Sequence, residues 1–300
     1  MDMESLRIFV DLATTRSFSK TAERNFLSQS AVSQRIRSLE GEFGHILVER
    51  GKGRPGAQFT EPGLRLLDGA REIIGRADAL KREIAEMGGA VGGTLRVATI
   101  YSIGLHALTP RITAFLAQYP QVNLHLEYLR TDRIYDAVSG GAIDCGIVAL
   151  PRERPQIEIV PLESEKMVVI FAPGHPLEKL ETINISDLNG LPFIAFDADI
   201  PTRHLIDDVL RANGVSVSIV HAFDNIETIK RVVEIGLGVA IVPEPTINRE
   251  VRDGTLLARP LEGEALTRAT GILLRKGRII SGALSRFLNV LTGTESNEVI

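Results

Sequence analysis

Residues 17–44 read SFSKTAERNFLSQSAVSQRIRSLEGEFG, and the second half of this stretch has two contrasting sides. Its apolar residues recur at spacings of four, three and four, which places them on one side of an α-helix. These apolar residues are Val32, Ile36, Leu39 and Phe43. Ser30, Gln34 and Arg37 fall on the opposite side, and Ser33 lies at its edge. The pattern therefore predicts a helix that buries one side and exposes a compact polar face.

Two shorter apolar patterns precede this helix, at Leu6, Phe9, Val10 and Ala13 and at Phe18, Ala22 and Phe26. Three short helices on a small core, the last with a polar face, are typical of a helix-turn-helix. Gln pairs with adenine edges, Arg with guanine and Ser with either, while amides at the helix start bind phosphate. The predicted DNA-binding residues of this helix are Ser28, Gln29, Ser30, Ser33, Gln34 and Arg37. The alternative is a solvated helix surface that binds nothing.

The segment ERGKGRPGAQFT, residues 49–60, follows the polar helix. Its glycines and proline favour a tight, ribbon-like loop, which carries Arg50, Lys52 and Arg54. A basic loop beside a recognition helix is typical of a wing that contacts the DNA backbone or minor groove. A disordered surface loop is the alternative. Together these patterns predict an all-α winged helix-turn-helix over residues 1–60.

Residues 61–87 predict one long helix, opened by Pro62 in its first turn. Its apolar series is Leu64, Leu67, Ala70, Ile74, Ala77, Leu80, Ile84 and Met87. We interpret the series as a seam between two chains, with packing onto the chain's own body as the alternative. A homodimer would present two recognition helices, and its DNA site would be an interrupted inverted repeat. The GGAVGG segment, residues 88–93, is predicted to be a hinge.

Composition describes a globular chain with an uneven charge. Of 300 residues, 44% are hydrophobic and 24% charged, and the net charge is −4. Residues 1–60 hold nine basic and seven acidic residues, so the acidic excess lies in the remainder. No apolar run is long enough to span a membrane, and MDMESLRIFV lacks the features of a secretory signal. The single cysteine, Cys145, fits a reducing compartment, so we expect a cytoplasmic protein with no membrane partner.

From Thr94 onward, short apolar runs alternate with helical patterns. The predicted strands are 94–100, 122–129, 143–150, 166–172, 191–196, 217–223, 238–243 and 269–276. The predicted helices between them include 105–119, 202–213, 226–236 and 281–292. Alternation of this kind predicts an α/β fold with parallel or mixed sheets.

The N-terminal region resembles the winged helix-turn-helix of the LysR-type transcriptional regulators. The resemblance rests on the Ser-Phe-Ser opening, SQSAVSQRI, the LE…FG pair, the strand at Leu47–Arg50 and the FTEPG entry to the long helix. Two positions depart from the family pattern, at Thr21–Ala22 and at Asn25. We expect Phe26 to supply the core volume that these changes remove, and Asn25 to adopt the left-handed turn conformation.

This resemblance implies a two-lobed, periplasmic-binding-protein-like effector domain over residues 94–300. Lobe I would comprise 94–163 and 268–293, and lobe II would comprise 164–267. A small-molecule effector would bind in the cleft between them, and the dimer would assemble further into a homotetramer. Cleft closure would change DNA bending and the access of RNA polymerase.

The effector-binding residues are predicted from helix starts. Ser102 and Thr131 follow the first two strands of the body, and Thr202, Arg203 and Asn225 stand at later helix starts. The family resemblance places Ser102, Thr131 and Thr202 in the cleft. Simple N-capping is the alternative for each of the Ser, Thr and Asn residues. Their convergence favours a small anion, such as a carboxylate or an inorganic anion.

The sequence contains no residue pattern that is typical of an enzyme active site. EIGLGVAIVP contains GxG, but the glycines follow a helix and precede a strand, which is the reverse of a dinucleotide fingerprint. The six histidines lack metal-ligand spacing, and Cys145 lies in an apolar run. We therefore predict no catalytic residue, metal or cofactor. A solute-binding or transport component and an enzyme with a regulatory head are the alternatives to a DNA-binding regulator.

Overall fold

The computed structural model describes residues 1–49, 56–86, 91–263 and 265–294. The chain divides into two compact units, Met1–Gly89 with Arg278–Ser281 and Ala90–Gly277 with Gly282–Ile300. Each unit is built on its own hydrophobic core.

The first unit opens with three helices, α1 (Met3–Thr15), α2 (Phe18–Arg24) and α3 (Gln29–Phe43). Each begins where a polar side chain caps it: Asp2 accepts from the Ser5 amide, Ser17 from Lys20 and Ser28 from Ala31. The short strands β1 (Val48–Glu49) and β2 (Gln58–Phe59) then pair antiparallel, and α4 (Glu61–Glu86) follows.

The core of this unit holds Val32, Ile36 and Leu39 of α3, all at most 1% exposed. The predicted apolar side of α3 is therefore present up to Leu39. Phe43 was expected to continue it but is 40% exposed. It lies in the last turn of α3, before Gly44 ends the helix with a left-handed backbone.

The turn between α2 and α3 differs from our expectation at two residues. Phe26, not Asn25, carries the left-handed backbone, with φ of 55°, while Asn25 has φ of −101°. Phe26 is 97% exposed and supplies no core volume. Asn25 instead donates from its amide group to Asp11 and to the Thr21 carbonyl, at 2.9 Å each. Asn25 can therefore end α2 in place of an apolar residue, because its side chain is hydrogen-bonded to nearby groups.

The predicted seam of α4 divides between two sides of the helix. Leu67 and Ala70 are buried, and Leu67 packs in the core of the first unit. Ile73, Leu80 and Ile84 are 42%, 49% and 60% exposed. Each three-residue step falls about 60° short of a full turn and each four-residue step overshoots by about 40°, so a 3-3-4 series drifts around the helix. The series therefore packs partly onto its own unit, which was the alternative interpretation. Its members Leu80 and Ile84 form a separate exposed face together with Ile73, which was not part of the predicted series.

The second unit begins with a mixed sheet. Its strands are β3 (Gly93–Thr99), β4 (Val122–Tyr128), β5 (Cys145–Ala149), the long β6 (Ile157–Phe171) and β11 (Thr267–Arg275). β3 lies parallel to β4 and β5, and β11 lies antiparallel between β5 and β6. This sheet is covered by α5 (Thr109–Gln118), α6 (Thr131–Ser139) and α10 (Gly282–Thr292), and together they form the first lobe.

The second lobe continues from the C-terminal half of β6. That half pairs antiparallel with β9 (Ala240–Pro243) on one side and β10 (Leu257–Pro260) on the other. β7 (Pro192–Phe196) and β8 (Ser218–Phe223) are parallel, and an isolated bridge from Phe193 to Val239 joins them to β9. The helices of this lobe are α7 (Pro201–Ala212), α8 (Ile226–Glu234) and α9 (Asn248–Asp253).

Several elements of the second unit differ from the predicted pattern. Residues 157–165 extend the strand expected at 166–172, and α9 and β10 were not predicted, whereas α6 begins at Thr131, where a helix start was expected. The helix expected at 105–119 is interrupted, because a π-helical turn at Ile103–Ala107 precedes α5. Among the described residues, no helix combines the length and the apolar character needed to cross a membrane.

Candidate functional site

The exposed face of α3 is polar. Ser28, Gln29, Ser30, Gln34 and Arg37 are exposed, and Ser33 is partly buried. The Ser28 hydroxyl accepts from the Ala31 amide at 3.1 Å and lies 2.8 Å from the Ser30 hydroxyl. Helix N-capping therefore accounts for Ser28, and Ser30 is hydrogen-bonded to it, while Gln29, Gln34 and Arg37 expose their side chains to a ligand.

The charges around α3 distinguish its two arginines. Arg35 pairs with Glu4 at 2.9 Å and lies 3.8 Å from Asp2, so α1 neutralises it. Arg37 forms no ion pair with any residue that the structure describes. Its guanidinium is therefore available for a base or a phosphate. Arg50, Lys52 and Arg54, the predicted wing residues, lie outside the described residues.

A cavity of about 330 Å³ lies between the two lobes of the second unit. The ends of β3, β4 and β5 contribute to one wall, and the starts of α7 and α8 to the other. Polar side chains in the lining include Ser102, Thr131, Thr202 and four arginines. The arginines are Arg130, Arg152, Arg154 and Arg268. A small polar metabolite fits a cavity of this size and character.

The predicted effector residues separate into two groups. Ser102, Thr131 and Thr202 line the cavity, and both Ser102 and Thr202 are at most 5% exposed. Arg203 and Asn225 are not in the described lining. Arg203 donates to Asp207 at 2.8 Å and to the Phe196 carbonyl at 2.9 Å. Asn225 caps α8 by accepting from the Glu227 amide at 2.9 Å, so N-capping accounts for it.

Arg268, which the sequence analysis missed, is the most buried charge in this cavity. It is 1% exposed and donates to Glu165, which faces it across the strand pair β6–β11. The guanidinium also donates to the Thr202 hydroxyl at 3.2 Å and to the Ser102 hydroxyl at 3.1 Å. Burial lowers the pKa of Arg268 from its ordinary value, although the charge and hydrogen bonds of Glu165 oppose the shift. One side chain thus contacts hydroxyls from both lobes.

The strand pattern held a signal for this pair. Glu165 stands two and four residues before buried Met167 and Val169, and Arg268 stands two before buried Thr270. Side chains two apart share a face of a strand, so both charges fall on the buried face. The register shifts between Arg268 and Thr270, which marks a bulge at this point. Charges in phase with a buried face are the feature that could have predicted the pair.

Two further polar contacts join the lobes beside the cavity. Arg130, which precedes α6, donates to Asp199, which precedes α7, at 2.5 Å. His106 lies 2.8 Å from Glu227 of α8. Burial alone would raise the pKa of Glu227, but hydrogen bonds from His106 and Lys230 and the charge of Lys230 outweigh it and lower the pKa to about 2. The lobes are therefore held by polar contacts as well as by the crossing strands.

The described part of the chain contains no cluster of residues that is arranged for metal binding or thiol chemistry. No group of three or more His, Cys, Asp or Glu residues there is arranged to hold a metal ion. Cys145 is buried within β5 and forms no disulfide.

A helix-turn-helix unit and a two-lobed α/β unit with an inter-lobe cavity define a ligand-responsive, DNA-binding regulator. The family comparisons agree. Residues 3–64 match "Bacterial regulatory helix-turn-helix protein, lysR family", and residues 88–295 match "LysR substrate binding domain". The chain belongs to the LysR family of transcriptional regulators, whose members combine DNA binding with effector binding.

Relatives of similar length share this organisation. The chain is 32% identical over 291 residues to a protein from Nostoc sp. named "Probable RuBisCO transcriptional regulator", covering 95% of this chain and 86% of that protein. A protein of the same name from Guillardia theta is 31% identical, covering 92% and 90%. Neither is an enzyme by name, and the family assignment likewise makes this chain a regulator and not an enzyme.

Solved structures show the same fold over nearly the whole chain. A full-length OxyR variant from Pseudomonas aeruginosa superposes with a TM-score of 0.74 at 25% identity, covering 98% of this chain and 94% of that one. Full-length CbnR in complex with its target DNA superposes with a TM-score of 0.66 at 20% identity, covering 98% and 100%. The latter likeness supports the fold alone.

Proposed function

We propose that the protein binds duplex DNA by placing α3 in the major groove, with the wing on the backbone. Ser28 and Gln29 would stand at the entry to the groove, and Gln34 and Arg37 would read base edges. Arg50, Lys52 and Arg54 would contribute phosphate contacts. The observation that supports this proposal is the division of α3. Its apolar side is buried from Val32 to Leu39, while its polar side is exposed and, at Arg37, makes no ion pair with a described residue.

The proposed DNA site is an interrupted inverted repeat read by a homodimer. The exposed face of Ile73, Leu80 and Ile84 on α4 supports pairing of two chains. The domain division that goes with it is 1–60 for DNA binding, 61–87 for dimerisation, 88–93 for the hinge and 94–300 for effector binding. Two dimers would associate into a tetramer on DNA in the cytoplasm, and their rearrangement would alter the access of RNA polymerase.

The proposed effector is a small anionic metabolite in the inter-lobe cavity. Ser102, Thr131 and Thr202 would bind it from the two lobes, and its presence would favour one spacing of the lobes over another. A ligand shifts such an equilibrium only through a difference in its affinity for the two states. Arg130–Asp199 and His106–Glu227 join the two lobes beside the cavity, so a change of lobe spacing would alter these two contacts together with those to the ligand.

The groove assignment is tested by footprinting. A duplex selected from a random pool by the full-length protein serves as the operator. Gln34→Ala and Arg37→Ala are expected to abolish its protection while leaving the oligomer intact in sedimentation, because both residues lie outside the buried side of α3. Arg211→Ala removes an exposed arginine of α7 as a matched control and should protect the operator as the parent does. Unchanged protection by the α3 variants would contradict the assignment.

The effector assignment is tested with Thr202→Ala. A panel of carboxylates and phosphates is first screened on the full-length protein for a rise in melting temperature, since ligands of the native state stabilise it. Thr202→Ala should weaken the response to the metabolite found and leave DNA protection without metabolite unchanged. A variant with the parent's full response would remove Thr202 from the site.

A further inference from the structure

Burial of the Arg268–Glu165 ion pair in the protein interior has a high cost in desolvation free energy. Both side chains are at most 7% exposed, and Oε1 of Glu165 is buried without a hydrogen-bond partner among the described residues. An ion pair whose polar atoms are incompletely satisfied is generally less stable than apolar side chains of the same volume. Stability therefore does not account for the pair, and its position in the cavity directs attention to the ligand.

The pair decides which way two hydroxyl groups point. A guanidinium only donates hydrogen bonds, so the Ser102 and Thr202 oxygens must act as acceptors toward Arg268. Each hydroxyl proton is then directed elsewhere, and neither hydroxyl donates to any residue that the structure describes. Both side chains line the cavity and are at most 5% exposed. Two hydroxyl groups, one from each lobe, are therefore able to donate hydrogen bonds into the cavity.

We propose that the Arg268–Glu165 pair is the positioning element of the ligand site, and that it makes the inner end of the cavity selective for an oxyanion. The inference rests on the proposed function and deepens it, because it states which group of the effector binds where. Arg268 holds the Ser102 and Thr202 hydroxyls as donors, and Glu165 holds the guanidinium in place from the opposite strand. A carboxylate or phosphate group of the effector accepts both hydroxyl protons and thereby joins the two lobes.

Charge balance explains why the pair, and not a lone arginine, performs this task. An unpaired buried guanidinium would be strongly disfavoured by desolvation and would attract anions of any shape. Glu165 cancels most of that charge. Selectivity then comes from the fixed direction of two neutral donors, which a ligand with correctly spaced oxygens matches.

The test is a titration of the full-length protein with inorganic phosphate, and separately with acetate, at constant ionic strength, followed by thermal unfolding. Arg268→Met/Glu165→Met removes both charges at similar volume and is expected to fold, because paired removal leaves no buried charge. We expect its half-saturating anion concentration to rise at least about tenfold, equivalent to about 1.4 kcal/mol. A stronger loss for phosphate than for acetate identifies a phosphate group, and the reverse a carboxylate.

The matched control is Arg231→Met/Glu234→Met. It removes another ion pair of the same unit, with a 2.7 Å contact and a glutamate side chain that is 12% exposed, and neither residue lines the cavity. This control should bind the anion as the parent does. If Arg268→Met/Glu165→Met lacks a cooperative transition, Arg268→Lys keeps the charge, loses the planar fork and should show the same weakening.

Three results would overturn the inference: parental anion binding by the Arg268 variants, equal weakening in the control, or no saturable response of the parent to either anion. None of them touches the DNA-binding proposal, which footprinting tests independently. Conversely, a protein that shows the expected anion response but protects no selected duplex would overturn the proposed function and leave the role of the pair intact.

Discussion

At the scale of a single residue, Phe26 adopts an unfavourable backbone conformation without a compensating packing contact. The turn between α2 and α3 requires a left-handed conformation at this position, with φ of 55°. Such a conformation is costly for a residue with a bulky side chain and cheaper for Asn or Gly. Phe26 recovers nothing by packing, since it is 97% exposed.

We therefore expect Phe26→Asn to stabilise the protein. Relief of the unfavourable conformation should raise the free energy of unfolding by about 0.5–1 kcal/mol. Urea denaturation of the full chain measures the change. Phe26→Ala is the control, because it removes the ring but keeps a side chain that disfavours positive φ, and it should gain less. A destabilised Phe26→Asn would show that the ring makes contacts beyond those described here.

We expect Glu227 to make the free energy of unfolding depend on pH in the acidic range. Its pKa of about 2 in the folded protein lies below the usual value, about 4.3, of a free glutamate. A lowered pKa stabilises the folded state above the unfolded value, and that contribution is lost as pH falls from about 4.3 toward 2. Glu227→Gln should therefore be less stable than the parent at pH 7, and the difference should shrink through this range.

Unfolding at several pH values measures that convergence. Glu163→Gln removes a carboxylate whose side chain is 88% exposed and serves as the control for loss of one charge. A gap between Glu227→Gln and the parent that persists unchanged down to pH 2 would contradict the role given to the His106 and Lys230 contacts.

At the scale of elements, close packing fixes where helices meet strands. On β5, a Cβ at Gly146 would lie 2.3 Å from Cγ2 of Ile134 on α6. β5 is buried along its whole length, so the helix can approach this closely only over a residue without a side chain.

Gly146→Ala should consequently destabilise the second unit by about 1–3 kcal/mol, the usual cost of overpacking a core. The measurement is again urea denaturation of the full chain. Gly75→Ala in α4 is the matched control, because no atom lies within 4 Å of the added Cβ and alanine is the better helix former. It should be neutral or stabilising. Equal effects of the two substitutions would contradict the packing argument.

The same scale shows what the sequence could and could not predict. Helix α3 follows its apolar periodicity because one side of it is buried, and strands such as β5 and β9 were predicted as short apolar runs because they are buried along their whole length. The first half of β6 was missed because residues 157–165 alternate weakly where the strand passes between lobes. The apolar series of α4 was interpreted as one seam from its three- and four-residue spacings alone. The angles around the helix axis, summed along the series, place its members on different sides of the helix. Ser102, Thr131 and Thr202 were predicted to share a site and do line one cavity, whereas Arg268 depends on a partner 103 residues away in the chain.

At the scale of the whole molecule, we expect two chains to bind DNA together. Ile84, at 60% exposed, and Leu80, at 49%, lie on the face of α4 proposed to pair with a second copy. Burial of such side chains against a partner is worth about 1.5–3 kcal/mol each.

Ile84→Glu should therefore shift the protein toward monomer in sedimentation equilibrium, because a charge would have to be buried at the interface. Gly75→Glu places the same charge about 180° away from Ile84 around the helix and should leave the oligomer unchanged. An unaltered assembly of Ile84→Glu would move the dimer interface away from this face.

Footprinting of a selected duplex by the full-length protein tests whether two copies of α3 read the DNA together. We predict two protected half-sites related by two-fold symmetry, whose centres are separated by one or more whole turns of roughly 10.5 base pairs. Both should disappear together in Gln34→Ala. Protection of one unrepeated half-site, or a footprint that survives this substitution, would contradict the claim that paired copies of α3 read the DNA.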